Sequence, residues 1–435
     1  MTVTVIGAGL AGCECALALA KKGIKVKLYE MKPEKYSPAH KLSTFAELVC
    51  SNSLRGAGLE NAPGLLKEEM RRLGSIVTEA ADAVKVPAGG ALAVDREKFS
   101  QYITDKVKEN ENIEIIYGEV EKIPEDGYVV IASGPLTSDK LSEEIRKLIG
   151  EDYLHFFDAA APVVTRESVD FDSAFMASRY DKGEADYINC PMNKEEYDVF
   201  YNELINAECA ELKEFENHKV FEGCMPVEVM AKRGEKTLLF GPLKPVGLKD
   251  PRSEKEHYAV VQLRQDNKEK TLYNIVGFQT HLKFPEQKRV FGLIPALKNA
   301  EYARYGVMHR NTFLNSPKLL DNSYRLKKNN NIFFAGQITG VEGYVESAAS
   351  GLAVGIYLSQ IIEKGNCEVF SRKTAMGALS RYVSDETVVN FQPMNINFGI
   401  IDSLEYRVKG KKEKNTAISL RALEEIDRWK EENKW

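Results

Sequence analysis

Two cysteines and one glycine cluster have a setting that permits chemistry. Cys50 stands in Glu47-Leu48-Val49-Cys50-Ser51-Asn52-Ser53-Leu54-Arg55, and Cys224 in Phe221-Glu222-Gly223-Cys224-Met225-Pro226-Val227-Glu228. Both stretches carry Gly, Ser, Asn or Pro, which favour loops where a thiol is accessible and backbone N–H groups can stabilise a thiolate. Such a cysteine is either a small packed hydrophobe or a nucleophile, and residue type alone leaves both open. Cys13 and Cys15 fall inside a predicted helix and Cys367 near a helix end, where packing is the simpler role. Seven cysteines cannot all pair within one chain, so free thiols in a reducing compartment are expected.

The glycine cluster is Gly7-Ala8-Gly9-Leu10-Ala11-Gly12, directly after the β-branched run Thr2 to Ile6 and opening an alanine-rich helix that reaches about Lys22. In that context G-x-G-x-x-G is a dinucleotide fingerprint. Gly7 permits the tight turn, Gly9 lets backbone approach a pyrophosphate, and Gly12 lets helix pack on strand. Glu30 ends a second predicted strand, Lys25 to Tyr29, where its carboxylate can accept hydrogen bonds from an unphosphorylated ribose. This pattern does not separate FAD from NAD. The segment Phe333-Phe334-Ala335-Gly336-Gln337-Ile338-Thr339-Gly340-Val341-Glu342-Gly343-Tyr344 resembles the closing strand and loop of flavoproteins, and Ile131-Ala132-Ser133-Gly134 resembles their middle strand, with Ser where Thr is usual.

These residues need a scaffold. Helices are predicted at Gly64 to Leu73, at Asp95 to Asn110 with Asp95 as cap, and at Ser138 to Ile149. Strands are predicted at Ile113 to Tyr117, Val120 to Ile123 and Tyr128 to Ile131. Met31 to Asn61 lacks sustained periodicity and reads as a long loop, the kind that carries function in compact enzymes. From about Pro162 to Ala303 the pattern becomes that of an α+β insert with an antiparallel sheet, including Thr237 to Phe240, His257 to Gln262 and Leu272 to Val276 as β-like stretches. A strand at Asn331 to Ala335 and a small-residue helix from about Val345 to Lys364 then resume the parallel pattern. The tail from about Ala417 is a charged helix packed through Leu423, Ile426 and Trp429. The expected fold class is α/β: a Rossmann-like FAD-binding domain of the glutathione-reductase type, formed by 1–160 and 305–435 and interrupted by a smaller α+β insertion domain, 161–304.

Taken together, VIGAGLAGCECA, the stretch Thr44 to Arg55, FEGCMPVE, FGPLKPVGL and FFAGQITGVEGYVESAASG are similar to the bacterial folate- and FAD-dependent tRNA (uracil-5-)-methyltransferases. These are relatives of a larger flavoprotein family that modifies wobble uridines. The likeness spans nearly the whole chain. It implies methylation of the T-loop uridine of tRNA, position 54, to ribothymidine, with 5,10-methylenetetrahydrofolate as carbon donor and NAD(P)H reducing the flavin. Uracil C5 is a poor nucleophile until something adds at C6, and a thiolate suits that addition. The resemblance implies Cys224 as that nucleophile. It implies Cys50 as a second thiol near the flavin, either base for the C5 proton or a group handling the flavin-bound one-carbon unit. Glu342 and Tyr344 become cofactor contacts on the same ground. Rival readings are a wobble-uridine modifier working with a partner, against which length and the Cys50 motif argue, and an RNA-binding flavoprotein with structural FAD.

The 435 residues carry 28 % charged residues and a formal net charge of -5, which excludes binding nucleic acid by bulk positive charge. A grip on the tRNA T-arm must rest on local clusters: Arg325, Lys327 and Lys328; Arg372, Lys373 and Arg381; and the run Arg407 to Lys414. The six histidines have no paired spacing typical of metal ligands, and no metal is expected. With no charged region ahead of the first apolar run and no stretch of about 18 apolar residues, a cytoplasmic protein without membrane contact is expected.

Overall fold

The computed structural model describes residues 1–150, 154–181, 184–210, 225–252, 257–388 and 391–435. Cys224 lies outside them. The β-branched strand Thr2–Ile6 is central in a five-stranded parallel sheet, ordered Ile332–Phe334, Tyr128–Ile131, Thr2–Ile6, Lys25–Glu30, Ile113–Tyr117. Val3 and Val5 are fully buried, as expected for a strand covered on both faces. The first helix, Leu10–Lys21, packs against the returning helix, Tyr344–Lys364. Small residues make this crossing possible: a Cβ on Gly351 would stand 2.1 Å from the Ala11 carbonyl oxygen. The returning helix is long and apolar enough to cross a membrane, yet 83 % of its apolar window is buried in the core. Cys13 and Cys15 are fully buried in the first helix, in keeping with a packing role.

The chain crosses between its two main sheets through an antiparallel pair, Leu154–Ala159 with Met308–Phe313. The second sheet is antiparallel and six-stranded, ordered Phe175–Ala177, Tyr187–Met192, Ala259–Gln265, Leu272–Ile275, Val163–Thr165, Tyr302–Arg304. It holds a separate apolar core built on residues such as Val261, Leu263, Phe278 and Phe291. The tail helix, Lys411–Asn433, begins six residues earlier than its apolar pattern suggests and buries Leu423, Ile426 and Trp429. Asp95 caps its helix by accepting from Lys98 N at 3.0 Å.

Two predicted strands are not formed. Val120 to Ile123 has no ladder partner among the described residues; Val120 and Ile123 instead lay their side chains on the cluster around Ile131 and Leu141, and Glu121 pairs with Lys140. Thr237–Phe240 is a 3-10 turn. Its backbone bonds stay local, from Thr237 N to Gly234 O (2.9 Å) and from Gly241 N to Leu238 O (3.1 Å); Leu238 is buried in the core, Leu239 packs partly against it and Phe240 is exposed.

Candidate active site

The carboxyl ends of the parallel strands open onto one elongated cavity. Gly7, Ala8, Gly9, Leu10, Ala11, Glu30, Ser133, Gly134, Gly336, Gln337 and Tyr344 all line it. This is where open α/β sheets bind nucleotides. Gly12 is off the wall and packs the helix on its own loop: an added Cβ would sit 1.8 Å from the Gly7 carbonyl oxygen. Gly9 is the reverse case, with no protein atom within 4 Å of its absent Cβ. That open cradle at a helix N-terminus suits a pyrophosphate. Glu30, buried at its strand end, accepts from Ala8 N (3.1 Å) and Lys32 N (2.9 Å), which fix its carboxylate beside the cavity. These residues fit a bound dinucleotide, with Glu30 for the ribose and Gly9 for the phosphates.

At the far end, Gly336 N donates to Ser350 Oγ at 2.7 Å, and Gln337 Nε2 donates to Glu342 Oε2 at 2.5 Å. Gly340, Val341, Glu342 and Gly343 are not on the cavity wall. Glu342 orients Gln337 from behind, and Glu342 N donates to Met394 O at 2.9 Å. Ser133 Oγ lies 2.7 Å from Thr137 Oγ1.

Cys50 sits immediately behind Tyr344. The Tyr344 hydroxyl lies 2.9 Å from Cys50 Sγ and accepts from Cys50 N at 2.7 Å and Ser51 N at 3.3 Å. Burial, and then the neighbouring thiol, push the Tyr344 phenol well above its ordinary range, so it stays protonated. The loop around Cys50 is tied to the second sheet. Asn52, fully buried, donates to Val94 O and Gln265 O, both at 2.9 Å, and accepts from Arg264 Nε at 3.0 Å. Arg264 Nη2 also donates to Ser51 Oγ at 2.8 Å. Arg96 donates to Leu48 O at 2.9 Å and pairs with Asp266, and Arg304 donates to Val49 O at 3.2 Å. Sequence inspection missed these three arginines. Their positions on a helix and two strands give no local signal, because a buried charge is visible only once its partners are in place.

Beyond Cys224, the described part of its motif is pinned. Val227 N donates to Gln279 O at 2.7 Å, and buried Glu228 accepts from Thr280 Oγ1 (2.8 Å) and His281 N (3.0 Å) and pairs with His281 Nδ1 at 2.6 Å. Burial opposes charge on His281, but Cys209 and Glu228 outweigh it and raise its pKa to about 9. Cys209, Glu228 and His281 bring a sulfur, a carboxylate and an imidazole within 4.8 Å of one another, a grouping that histidine spacing could not reveal. Of the basic clusters, Arg325 pairs with Asp321, Lys327 with Glu386, Arg372 with Asp402 and Arg381 with Asp385. Arg407, Lys409, Lys411 and Lys412 are exposed.

A family model described as "Glucose inhibited division protein A" matches residues 2–366. The methylenetetrahydrofolate--tRNA-(uracil-5-)-methyltransferase TrmFO of Acetivibrio thermocellus is 65 % identical over 421 residues, 97 % of each chain. The protein of that name from Listeria monocytogenes serotype 4b is 60 % identical over 431 residues, 99 % of each chain. Among solved structures, Aquifex aeolicus GidA superposes with a TM-score of 0.71 at 16 % identity, over 98 % of this chain and 73 % of its own, which supports the shared fold. A matched fold, a dinucleotide cavity built from the fingerprint residues and full-length identity of this order lead to one conclusion: the chain belongs to the glucose inhibited division protein A family and, within it, to the methylenetetrahydrofolate--tRNA-(uracil-5-)-methyltransferases.

Proposed function

We propose that this folate- and FAD-dependent tRNA methyltransferase acts on C5 of the T-loop uridine at position 54, taking the carbon from 5,10-methylenetetrahydrofolate. The observation that carries the reading is a thiol, Cys50, hydrogen-bonded to a tyrosine on the wall of the dinucleotide cavity. Such a thiol suits proton transfer beside a redox cofactor better than it suits a purely structural flavin. Cys224 adds as thiolate to uracil C6, which makes C5 nucleophilic toward the folate methylene. Cys50 takes the C5 proton as the C–N bond from the new methylene to the folate breaks, and hydride addition to that methylene then expels the Cys224 thiolate and restores the pyrimidine. FAD held in this cavity by Gly9 and Glu30, and reduced by NAD(P)H, would supply that hydride, so the folate would leave as tetrahydrofolate. Reaching C5 in a folded T-loop requires the base to be turned out of its stack.

The test is 5-methyluridine formation on an unmodified tRNA transcript, with methylenetetrahydrofolate and NADPH supplied, followed by mapping of the modified position. The wild type should methylate position 54 alone, and Cys224→Ala should not. Methylation with S-adenosylmethionine in place of folate, or full activity of Cys224→Ala, refutes the assignment.

A further inference from the structure

The loop Leu48 to Asn52 is held by guanidinium groups from three elements. Arg96 comes from the helix Arg96–Lys108, Arg264 from the strand Ala259–Gln265 and Arg304 from the strand Tyr302–Arg304. Arg96 is 5 % exposed and Arg264 8 %. Among the described residues, two acids face them. Asp266 is engaged by Arg96, and Glu47 accepts from Lys41 N and Leu42 N with Lys32 Nζ at 3.9 Å. Three buried or half-buried cations therefore face two carboxylates, one of which already has its own lysine. Buried positive charge on this scale favours a further anion beside it.

Burial opposes charge on Arg96, but Asp266 outweighs it and raises its value. Burial pushes the Arg264 guanidinium below its ordinary value, and burial together with repulsion from Arg96 does so for Arg304. Cys50 lies within electrostatic reach of both Arg96 and Arg264. Hydrogen-bond accounting at Tyr344 points the same way. Its oxygen accepts from two backbone N–H groups, Cys50 and Ser51, which occupies its acceptor capacity and leaves its single proton for Cys50 Sγ. The sulfur is then an acceptor.

We propose that Cys50 is held as a thiolate, with its charge stabilised by Arg96, Arg264 and Arg304 and by a hydrogen bond donated by Tyr344. Arg264 and Arg304 are positioning residues: they belong to the second sheet, so the ionised thiol depends on that sheet being seated against the loop. The thiol's proton is released to solvent and Tyr344 keeps its own. The catalytic meaning of this arrangement rests on the proposed role of Cys50 as base.

The experiment is alkylation of Cys50 in the full-length FAD-bound protein by iodoacetamide, followed by peptide mass mapping as a function of pH. Wild type, Arg304→Gln, Arg304→Lys and Tyr344→Phe are compared, with flavin absorbance confirming that each is folded. The wild-type midpoint should fall at least one pH unit below the value of about 8.5 of an ordinary thiol. Arg304→Gln and Tyr344→Phe should each raise it by about one unit, while Arg304→Lys, which keeps the charge, should stay near wild type. A wild-type midpoint at or above the ordinary value, or one that none of the variants moves, overturns the proposal. A low, arginine-dependent midpoint in a protein whose Cys50→Ser variant still methylates tRNA upholds the thiolate and removes the role as base.

Discussion

Replacing Gly9 and Gly12 by alanine separates what the protein needs from what its cofactor needs. Gly9 is extended, at φ -75° and ψ -171°, and its added methyl would meet no protein atom within 4 Å. Gly9→Ala should therefore leave the apoprotein as stable as wild type or more so by ~0.4–1 kcal/mol, because the unfolded chain loses freedom. The same methyl stands where pyrophosphate oxygens approach the backbone. Each charge-assisted hydrogen bond lost there costs about 1.5–3 kcal/mol, a tenfold to hundredfold loss of FAD affinity. At Gly12 the methyl would lie 1.8 Å from a backbone carbonyl that cannot retreat without moving the loop. Gly12→Ala should destabilise even the apoprotein by at least ~1–3 kcal/mol. The assays are thermal unfolding of the apoproteins and FAD titration by flavin fluorescence. Gly9→Ala melting as low as Gly12→Ala, or binding FAD as tightly as wild type, would refute the reasoning.

Asn52→Ala removes the side-chain donor to two buried carbonyls and the acceptor of Arg264 Nε and should cost ~2–4 kcal/mol in denaturant unfolding; a loss below about 0.5 kcal/mol contradicts the bonding described. His281 has a folded pKa of about 9 against 6.5 for the free side chain, so its pairing with Glu228 stabilises fully below about pH 6.5 and is lost as pH rises through about 9. Melting temperatures of wild type and His281→Gln should therefore converge between those values, and a constant gap up to pH 10 counts against the pair. Replacing exposed Lys409, Lys411 and Lys412 together by Gln should weaken tRNA binding and flatten its salt dependence by up to about three counterions; an unchanged slope removes this run from the interface.

The glycine fingerprint, Glu30, the parallel strands and the small-residue helices were legible in the sequence because each obeys a local rule. A β-branched run buries as a strand, a glycine marks a place where backbone approaches backbone or ligand, and Asp95 three residues before the Lys98 N–H makes a cap. Local rules also explain the failures. Val120 to Ile123 and Thr237–Phe240 have strand-like composition, but a strand exists only where a neighbour offers a ladder, and none does. The setting of Cys50 shows the same division. Its loop residues marked it as a candidate for chemistry and left packing open. Tertiary structure alone decided that Arg96, Arg264 and Arg304, up to 255 residues apart from that loop in sequence, would converge on it with the Tyr344 hydroxyl 2.9 Å from the Cys50 sulfur. Electrostatic fields depend on distance in space and on burial, and a linear pattern encodes neither.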